Sequence, residues 1–582
     1  MPVPRSPARP PSSADVADAL EEVSRLMELL GENPFKARAY DRGAHAVRHL
    51  GDAFAAHVEA HTLASVEGLG KSLVAAIDEF TRTGQLTLLT QLRRQVPPGV
   101  MELASVPGLG PRKARQVCAE LSISTLGELE YAARENRLLH LKGFGEKTQL
   151  RILSALQARR AVSGRCRLDR ADAAVALAAA ALGSGWPATA VGQVRRRAEL
   201  CSHVELLCAA RDVDAVVVRA AAVLPAARVD GPGAVEFEAA PGVRGTLHVV
   251  LPEDAAAAQV FLTGSSAHVD ALQAREPAWQ LTAHGARRAA ERVTFTDETA
   301  VYAALGLPWI PPELREDGDA VELARTGRLP RLVELGDLRG ALHNHTTLSD
   351  GRDTARAMQQ AATRMGLEYL GISDHSQSAF YARGLKAEAL RAQRDELHSA
   401  MRDGGARLWH GVESDILQDG ALDYPPEVLR ELDFVVASVH SRYQATAQQL
   451  TDRLIRAVRN PYTDVLGHPT GRLLLSREGA AFDVAAVLAA AREAGCAMEL
   501  NAQPQRLDLC VEHLRMCKRL GLKVCINADA HSTAELETLA LGVSQARRAG
   551  LGRDDVLNTL DHAELQAWLR ARRAGATGHT LP

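Results

Sequence analysis

The chain has no apolar run that approaches the roughly 20 residues of a membrane-spanning helix, so no such helix is expected. Its start, MPVPRSPARPPSSAD, lacks an apolar core, so neither a signal peptide nor a membrane anchor is expected there, and residues 1–15 are expected as a disordered tail. The eight cysteines include no C-x-x-C pair and sit in no small secreted framework; they read as reduced, mostly buried thiols and place the protein in the cytoplasm. Aromatics are scarce at 4%, and charge is nearly balanced at a formal net of −3. Hydrophobic residues at 46% and charged residues at 24% are ordinary globular values, which exclude global disorder and fibrous classes. A length of 582 residues implies about three to five domains at roughly 100–200 residues each. The one positive oddity is histidine: eleven of the 20 lie after residue 340.

Residues 16–160 read as nearly continuous helix, with apolar residues at three- and four-residue spacing in VADALEEVSRLMELLG and SLVAAIDEFTRTGQLTLLTQL. One short pattern recurs there three times. VEGLGKS carries Gly68, Gly70 and Lys71; VPGLGPRKA carries Gly108, Gly110 and Lys113; LKGFGEKT carries Gly143, Gly145 and Lys147. In each, a G-x-G permits a tight turn, and the helix that follows presents amides and a lysine able to hold a phosphate. These are the hairpins of helix-hairpin-helix units. Between residues 91 and 160 twelve Lys and Arg face six Asp and Glu, the footprint of a protein that grips a nucleic-acid backbone without reading sequence. A solvated basic helix face is the bland alternative.

Residues from about 163 to 335 mix helix and strand: ADAAVALAAAALGS, then ATAVGQV, HVELLCAA, VEFEAA and GTLHVVL. LGLPWIPPELRE and a Pro-rich turn read as a connector to a further domain. From Leu338 on, seven short apolar runs each end in ligand-type residues and lead into a helical stretch. They are GALHNH, YLGISDH, LWHGVES, FVVASVH, DVLGHP, AMELNA and VCINADAH. Seven such units in series predict a closed parallel barrel with its chemistry at the C-terminal strand ends. Imidazoles and carboxylates without thiolates point to catalytic metal, Zn, Mn or Fe, and the number of candidate ligands allows two or three ions. One ion would lower the pKa of a bound water while its neighbour clamps a phosphate.

The motifs HNHTTLSDG, SDHS, GVESDI, ASVHS, GHPTGR, NAQPQRLDL and ADAHS resemble those of PHP (polymerase and histidinol phosphatase) domains. With TGSSAH and LGLPWIPPELRE, the whole chain resembles the bacterial family X DNA polymerases that carry such a domain. The resemblance implies a multidomain fold: an all-α helix-hairpin-helix N-terminal region, an α+β palm and thumb, and a C-terminal α/β PHP domain, a distorted seven-stranded β/α barrel. The expected boundaries are 1–15 tail, 16–90 lyase-like, 91–160 fingers-like, 161–255 palm-like, 256–320 thumb-like, 321–337 linker and 338–582 PHP. It also implies a trinuclear centre. His343, His345, Glu413 and Asp529 would hold one metal; Glu413, His440 and His468 a second; Asp350, His375 and His531 a third. The implied activity is Mn-dependent 3′-5′ exonuclease action in base excision repair, with Mn or Zn as cofactor and His343, His345, Glu413 and Arg472 at the catalytic centre. Arg472, Arg506 and Arg195 are candidate phosphate contacts, since a guanidinium fork matches two phosphate oxygens.

The polymerase half departs from the family pattern G-S-x-R-R followed by D-x-D and a later third Asp. Gln193 replaces the Ser, and the carboxylate positions fall on His203, Glu205 and Thr246. An imidazole and a hydroxyl cannot replace two anionic ligands around Mg, so template-directed synthesis is expected to be lost or weak, with Mg needed only if it survives. Ala76 stands where some members have a Schiff-base Lys. The expected partner is DNA with gaps, nicks or 3′ ends, bound by a monomer. The rivals are an active polymerase, a DNA-binding scaffold and a small-molecule phosphoesterase.

Overall fold

The computed structural model describes residues 11–51, 53–66, 68–96, 100–160, 164–289, 291–440 and 446–576. They fall into two compact units, Met1–Gln157 and Ala158–Pro582.

The first unit is all helix among its described residues. Its first helix, Ser13–Leu30, begins inside the stretch expected as a tail. Ser12 accepts from the Asp15 amide while the Asp15 carboxylate accepts from the Ser12 amide, a capping box that starts the helix three residues before Val16. The disordered tail is thus corrected at its end; residues 1–10 lie outside the described residues. The three G-x-G segments are helix starts. Gly68, Gly108 and Gly143 have φ of +90°, +96° and +87°, values that favour glycine. The residue between each glycine pair, Leu69, Leu109 or Phe144, is buried in the helical core and fixes the turn. The helices Lys71–Thr83, Gly110–Leu121 and Glu146–Arg160 follow.

The second unit opens with a five-stranded sheet in the order Ala188–Val191, His203–Ala209, Val243–Val250, Ala234–Ala240, Arg228–Val229. Only the His203–Ala209 and Val243–Val250 pair is parallel; the helices Leu168–Leu182 and Val213–Val223 pack against the sheet. After it come the helices Ala255–Thr263 and Ser266–Gln273, a three-stranded antiparallel sheet and the helix Glu298–Ala304. The stretch 321–337, expected as a linker, is structured: the helix Asp319–Arg325 buries Val321 and Ala324, Leu332 lies in the preceding core, and Val333 lies in the barrel core.

Seven parallel strands then follow in sequence order, Gly340–Ala341, Tyr369–Ile372, Arg407–Asp415, Phe434–Ser438, Val465–Leu466, Ala497–Asn501 and Val524–Asn527. Nearly every strand residue is buried, the mark of a parallel sheet covered on both faces. The first and last strands approach through an Asn344–Ala530 bridge, and the Leu342 amide donates to the Asn527 side chain at 2.8 Å, so the barrel is nearly closed. Tyr369, Trp409, Phe434, Val465 and Ala497 form an apolar cluster with Leu565 and Leu569 of the last helix, His562–Ala576. Gly371 and Gly411 leave room for the Phe434 ring, which a Cβ at either position would meet at 2.6 or 2.3 Å. Tyr369, Phe434, Val465 and Ala497 each begin their strands, so apolar packing fills the N-terminal end of the barrel and the polar residues gather at the other.

Candidate metal centre

Each barrel strand delivers its polar residues at or just past its C-terminal end. His343 and His345 follow the first strand, His375 the second, His440 the fourth, His468 the fifth, and Asp529 and His531 the seventh; Glu413 lies near the end of the long third strand. Asp350 is brought in by the loop after His345. That loop is held by Asp374, whose carboxylate accepts from the Thr346 amide and hydroxyl, both at 2.7 Å, and from Ser349 and Gln393. His468 and Asp529 have φ of +23° and +48°, left-handed backbone that a non-glycine residue holds only where its surroundings enforce it.

The nine expected ligands converge in four overlapping groups of side chains able to hold a cation: His345, Asp350, His375 and His531; His343, Glu413 and His468; His343, His345 and Asp529; His375, Glu413 and His440. Glu413 is the hub. Its Oε1 lies 2.9 Å from His468 Nε2, 3.1 Å from His440 Nε2 and 3.3 Å from His343 Nε2, while its Oε2 lies 2.8 Å from His375 Nδ1. Asp350 is 3.4 Å from both His375 Nε2 and His531 Nε2, and Asp529 is 3.1 Å from His345 Nε2. The sets named from the resemblance are therefore neighbours, with His345 also beside the Asp350 group.

Donor chemistry fits a cation here. The buried atoms His343 Nε2, His440 Nε2, Asp350 Oδ2 and Glu413 Oε2 make no hydrogen bond, although oppositely disposed atoms stand within about 3–4 Å, a spacing that suits shared ligation. Burial opposes charge on His343, yet Glu499, Asp529 and Glu413 outweigh it and raise its pKa well above the imidazole range. Burial likewise opposes ionisation of Asp350 and Glu413, but the surrounding imidazoles hold both carboxyls well below the usual range. The site is thus a buried set of anionic carboxylates and imidazoles.

Two outer residues were not read as partners from the sequence. Asp415 lies 2.6 Å from His440 Nδ1, and Glu499 lies 2.7 Å from His343 Nδ1; such pairs fix a ligand ring and its tautomer. Asp415 stands two residues after Glu413, on the same strand, a period-two signal that the sequence carried. Arg506 is buried, with its Nε 3.8 Å from Asp529. Arg472 lies in the loop after His468, but its fork meets a protein partner: Nη1 and Nη2 lie 3.1 and 2.7 Å from the Glu199 carboxylate.

At the polymerase-like sheet, His203, Glu205 and Thr246 do come together. His203 Nε2 lies 2.8 Å from Thr246 Oγ1, and Glu205 pairs across the strands with Thr246. Burial, aided by Arg244, lowers the His203 pKa and favours its neutral form. Gln193 Oε1 accepts from the Ser202 amide at 2.9 Å and closes the turn before these strands. Arg195 meets Glu298 through two bonds of 2.8 and 2.7 Å. Among the described residues no cation-holding group falls on this sheet. In the helical unit Lys71 and Lys147 are exposed, whereas Lys113 stacks 5.0 Å over the Phe144 ring, and Ala76 is buried in the core. No helix among the described residues is long and apolar enough to cross a membrane.

Family models match the same segments: a helix-hairpin-helix domain over residues 11–86, a SAM-like helix-hairpin-helix tandem over 100–158, a DNA polymerase beta thumb over 258–316 and a PHP domain over 341–503. Fold and donor set therefore define a PHP-type metal centre attached to a polymerase-like, helix-hairpin-helix core. Along its length the chain is 33% identical over 578 residues to the DNA polymerase/3′-5′ exonuclease PolX of Bacillus subtilis (strain 168), covering 96% of this chain and 99% of that protein. The chain belongs to the bacterial PolX family. The barrel alone is similar to probable phosphatases, 26% identical over 249 residues in Thermoanaerobacter sp. (strain X514) and 31% over 204 residues in Acetivibrio thermocellus. These cover 40% and 33% of this chain and 94% and 80% of the relatives.

Proposed function

We propose that this protein is a DNA-repair phosphodiesterase that removes nucleotides from 3′ ends in its barrel, while the helix-hairpin-helix and polymerase-like regions grip gapped or nicked DNA. The observation that carries this reading is the buried cluster around Glu413, in a chain that also holds three hairpins and a basic stretch. His343, His345, Asp350, His375, Glu413, His440, His468, Asp529 and His531 would hold two or three Mn or Zn ions. When bound, such ions supply Lewis-acid charge and a more acidic water. The chain's own part is to fix those ligands: Asp415 and Glu499 orient two imidazoles, Asp374 seats the Asp350 loop, and apolar packing closes the far end of the barrel. Arg506, buried beside Asp529, remains a phosphate contact in this reading. The protein acts as a monomer in the cytoplasm, in keeping with eight unpaired cysteines.

Nucleotidyl transfer is proposed to be lost or very weak. The neutral His203–Thr246 pair stands where two carboxylates would be needed for Mg, and of the three expected positions Glu205 alone keeps a carboxylate. The name of the Bacillus subtilis relative includes polymerase activity, so an active polymerase is the second reading. Primer extension on gapped DNA with Mg or Mn separates the two: no extension above background is expected, and efficient nucleotide addition would overturn this part. Nuclease assays on the same DNA, after chelation and return of Mn, Zn or Mg, test the first part. Loss on chelation and recovery with metal are expected; release that is indifferent to metal would contradict it.

A further inference from the structure

We propose that Glu199, at the end of the degenerate run GQVRRRAE, is a positioning residue for the metal centre: its carboxylate holds Arg472 and, through it, the loop that carries His468. The proposal rests on the metal-centre reading above. Arg472 binds Glu199 through both arms of its fork, and its Nε donates to the Arg506 carbonyl at 2.9 Å. Nη2 donates also to the carbonyl of Leu507, a residue with φ of +43°. One guanidinium thus joins three segments: the loop after the fifth strand, the loop after the sixth, and the turn at Glu199 that leads into the polymerase-like sheet.

Both loops serve the centre. The first begins with His468, whose carbonyl accepts from the Gly471 amide at 2.9 Å, and Asp508 of the second caps the Thr470 and Gly471 amides at 3.1 and 2.9 Å. The second follows Asn501, whose amide group donates to Asp529 at 2.9 Å. Glu199 is itself held: its carbonyl accepts from the Leu168 amide at 3.2 Å, and the Arg197 carbonyl accepts from Gln545 of the barrel at 2.9 Å. Without Glu199, Arg472 would be a largely buried cation with no carboxylate on its fork, left with the Arg506 and Leu507 carbonyls and the through-space charge of Asp508, a situation that drives the side chain outward. The two loops would then lose their shared cross-link. The run that departs from the family pattern at Gln193 serves, on this geometry, as a support for the metal centre.

The test uses the full chain. In metal-free protein, hydrogen exchange of residues 467–479 is compared for wild type, Glu199→Ala and Glu199→Gln, with Glu313→Gln as control. Glu313 pairs with Arg547 at 2.7 Å and bridges the same two regions away from these loops. Mn(II) affinity is then titrated. Both Glu199 variants should exchange faster in that loop and bind Mn(II) about 10- to 100-fold more weakly, the usual range for outer partners of metal ligands, while Glu313→Gln matches wild type. If Glu199→Ala fails to fold, Glu199→Gln is read alone. Wild-type exchange and affinity in the Glu199 variants, or equal effects in Glu313→Gln, would overturn the proposal. A wild-type chain that binds no Mn(II) overturns the metal-centre reading instead, and the exchange comparison still decides the clasp.

Discussion

Glu413 reaches five imidazoles with two oxygens, so its removal cannot be absorbed by one neighbour. Glu413→Gln keeps the shape but gives up the charge that joins the groups; metal affinity should fall by more than the roughly 10- to 100-fold typical of outer partners, with DNA affinity unchanged, read by Mn(II) titration and gel shift. Asp415→Asn is predicted to fall inside that range, because it frees the His440 ring without deleting a ligand. Eight of the nine expected ligands were legible as positions because each closes an apolar run or follows one closely, and strand polarity sends such positions to one rim; Asp350, on the loop after His345, was named only through the family resemblance. Asp415 was missed because a carboxylate two residues past a ligand looks the same as a solvated strand end until the His440 ring is seen against it. Arg472 was read as facing phosphate because sequence gives its neighbour His468 but not Glu199, 273 residues away.

At the scale of elements, the buried ion-pair network of Glu298 ties the helix Glu298–Ala304 to the Arg195 turn and to Arg315. Burial opposes the Glu298 charge, but bonds from Arg195 and Arg315 prevail and bring its pKa to about 2, from an ordinary 4.5. A depressed carboxyl pKa stabilises the fold above its unfolded value. That contribution, about 3 kcal/mol at neutral pH, should therefore be complete above roughly pH 5 and disappear as pH falls from 4.5 towards 2. Glu298→Ala leaves two guanidiniums facing each other and should cost about 3–5 kcal/mol, measured by urea unfolding at pH 7. The seven βα units and the three hairpins were legible as periodicity with punctuation. The segment 321–337 was not: its Pro and Gly content reads as a connector, and only packing reveals that Leu332 and Val333 belong to two cores. The start of the first helix was misplaced for a similar reason, since Ser12 and Asp15 look polar and loose until the capping box forms.

On the scale of the whole molecule, the near-neutral charge hides a division of labour between a basic helical stretch and a barrel that concentrates carboxylates and imidazoles. Backbone gripping by that stretch predicts steep salt dependence: if about six phosphates are neutralised, DNA affinity should drop on the order of a thousandfold between roughly 50 and 200 mM salt, measured by fluorescence anisotropy. Hydrolysis of a small phosphodiester in the barrel should change far less over the same range. The central claim is that the barrel cluster, and not the polymerase-like sheet, processes DNA ends. Its most direct test is nucleotide release from a 3′-labelled gapped duplex, with Mn(II) supplied after chelation, for wild type, Glu413→Gln and Glu205→Gln. Release by wild type and Glu205→Gln but not by Glu413→Gln, with all three still binding the duplex, is the predicted result. Undiminished release by Glu413→Gln would contradict it.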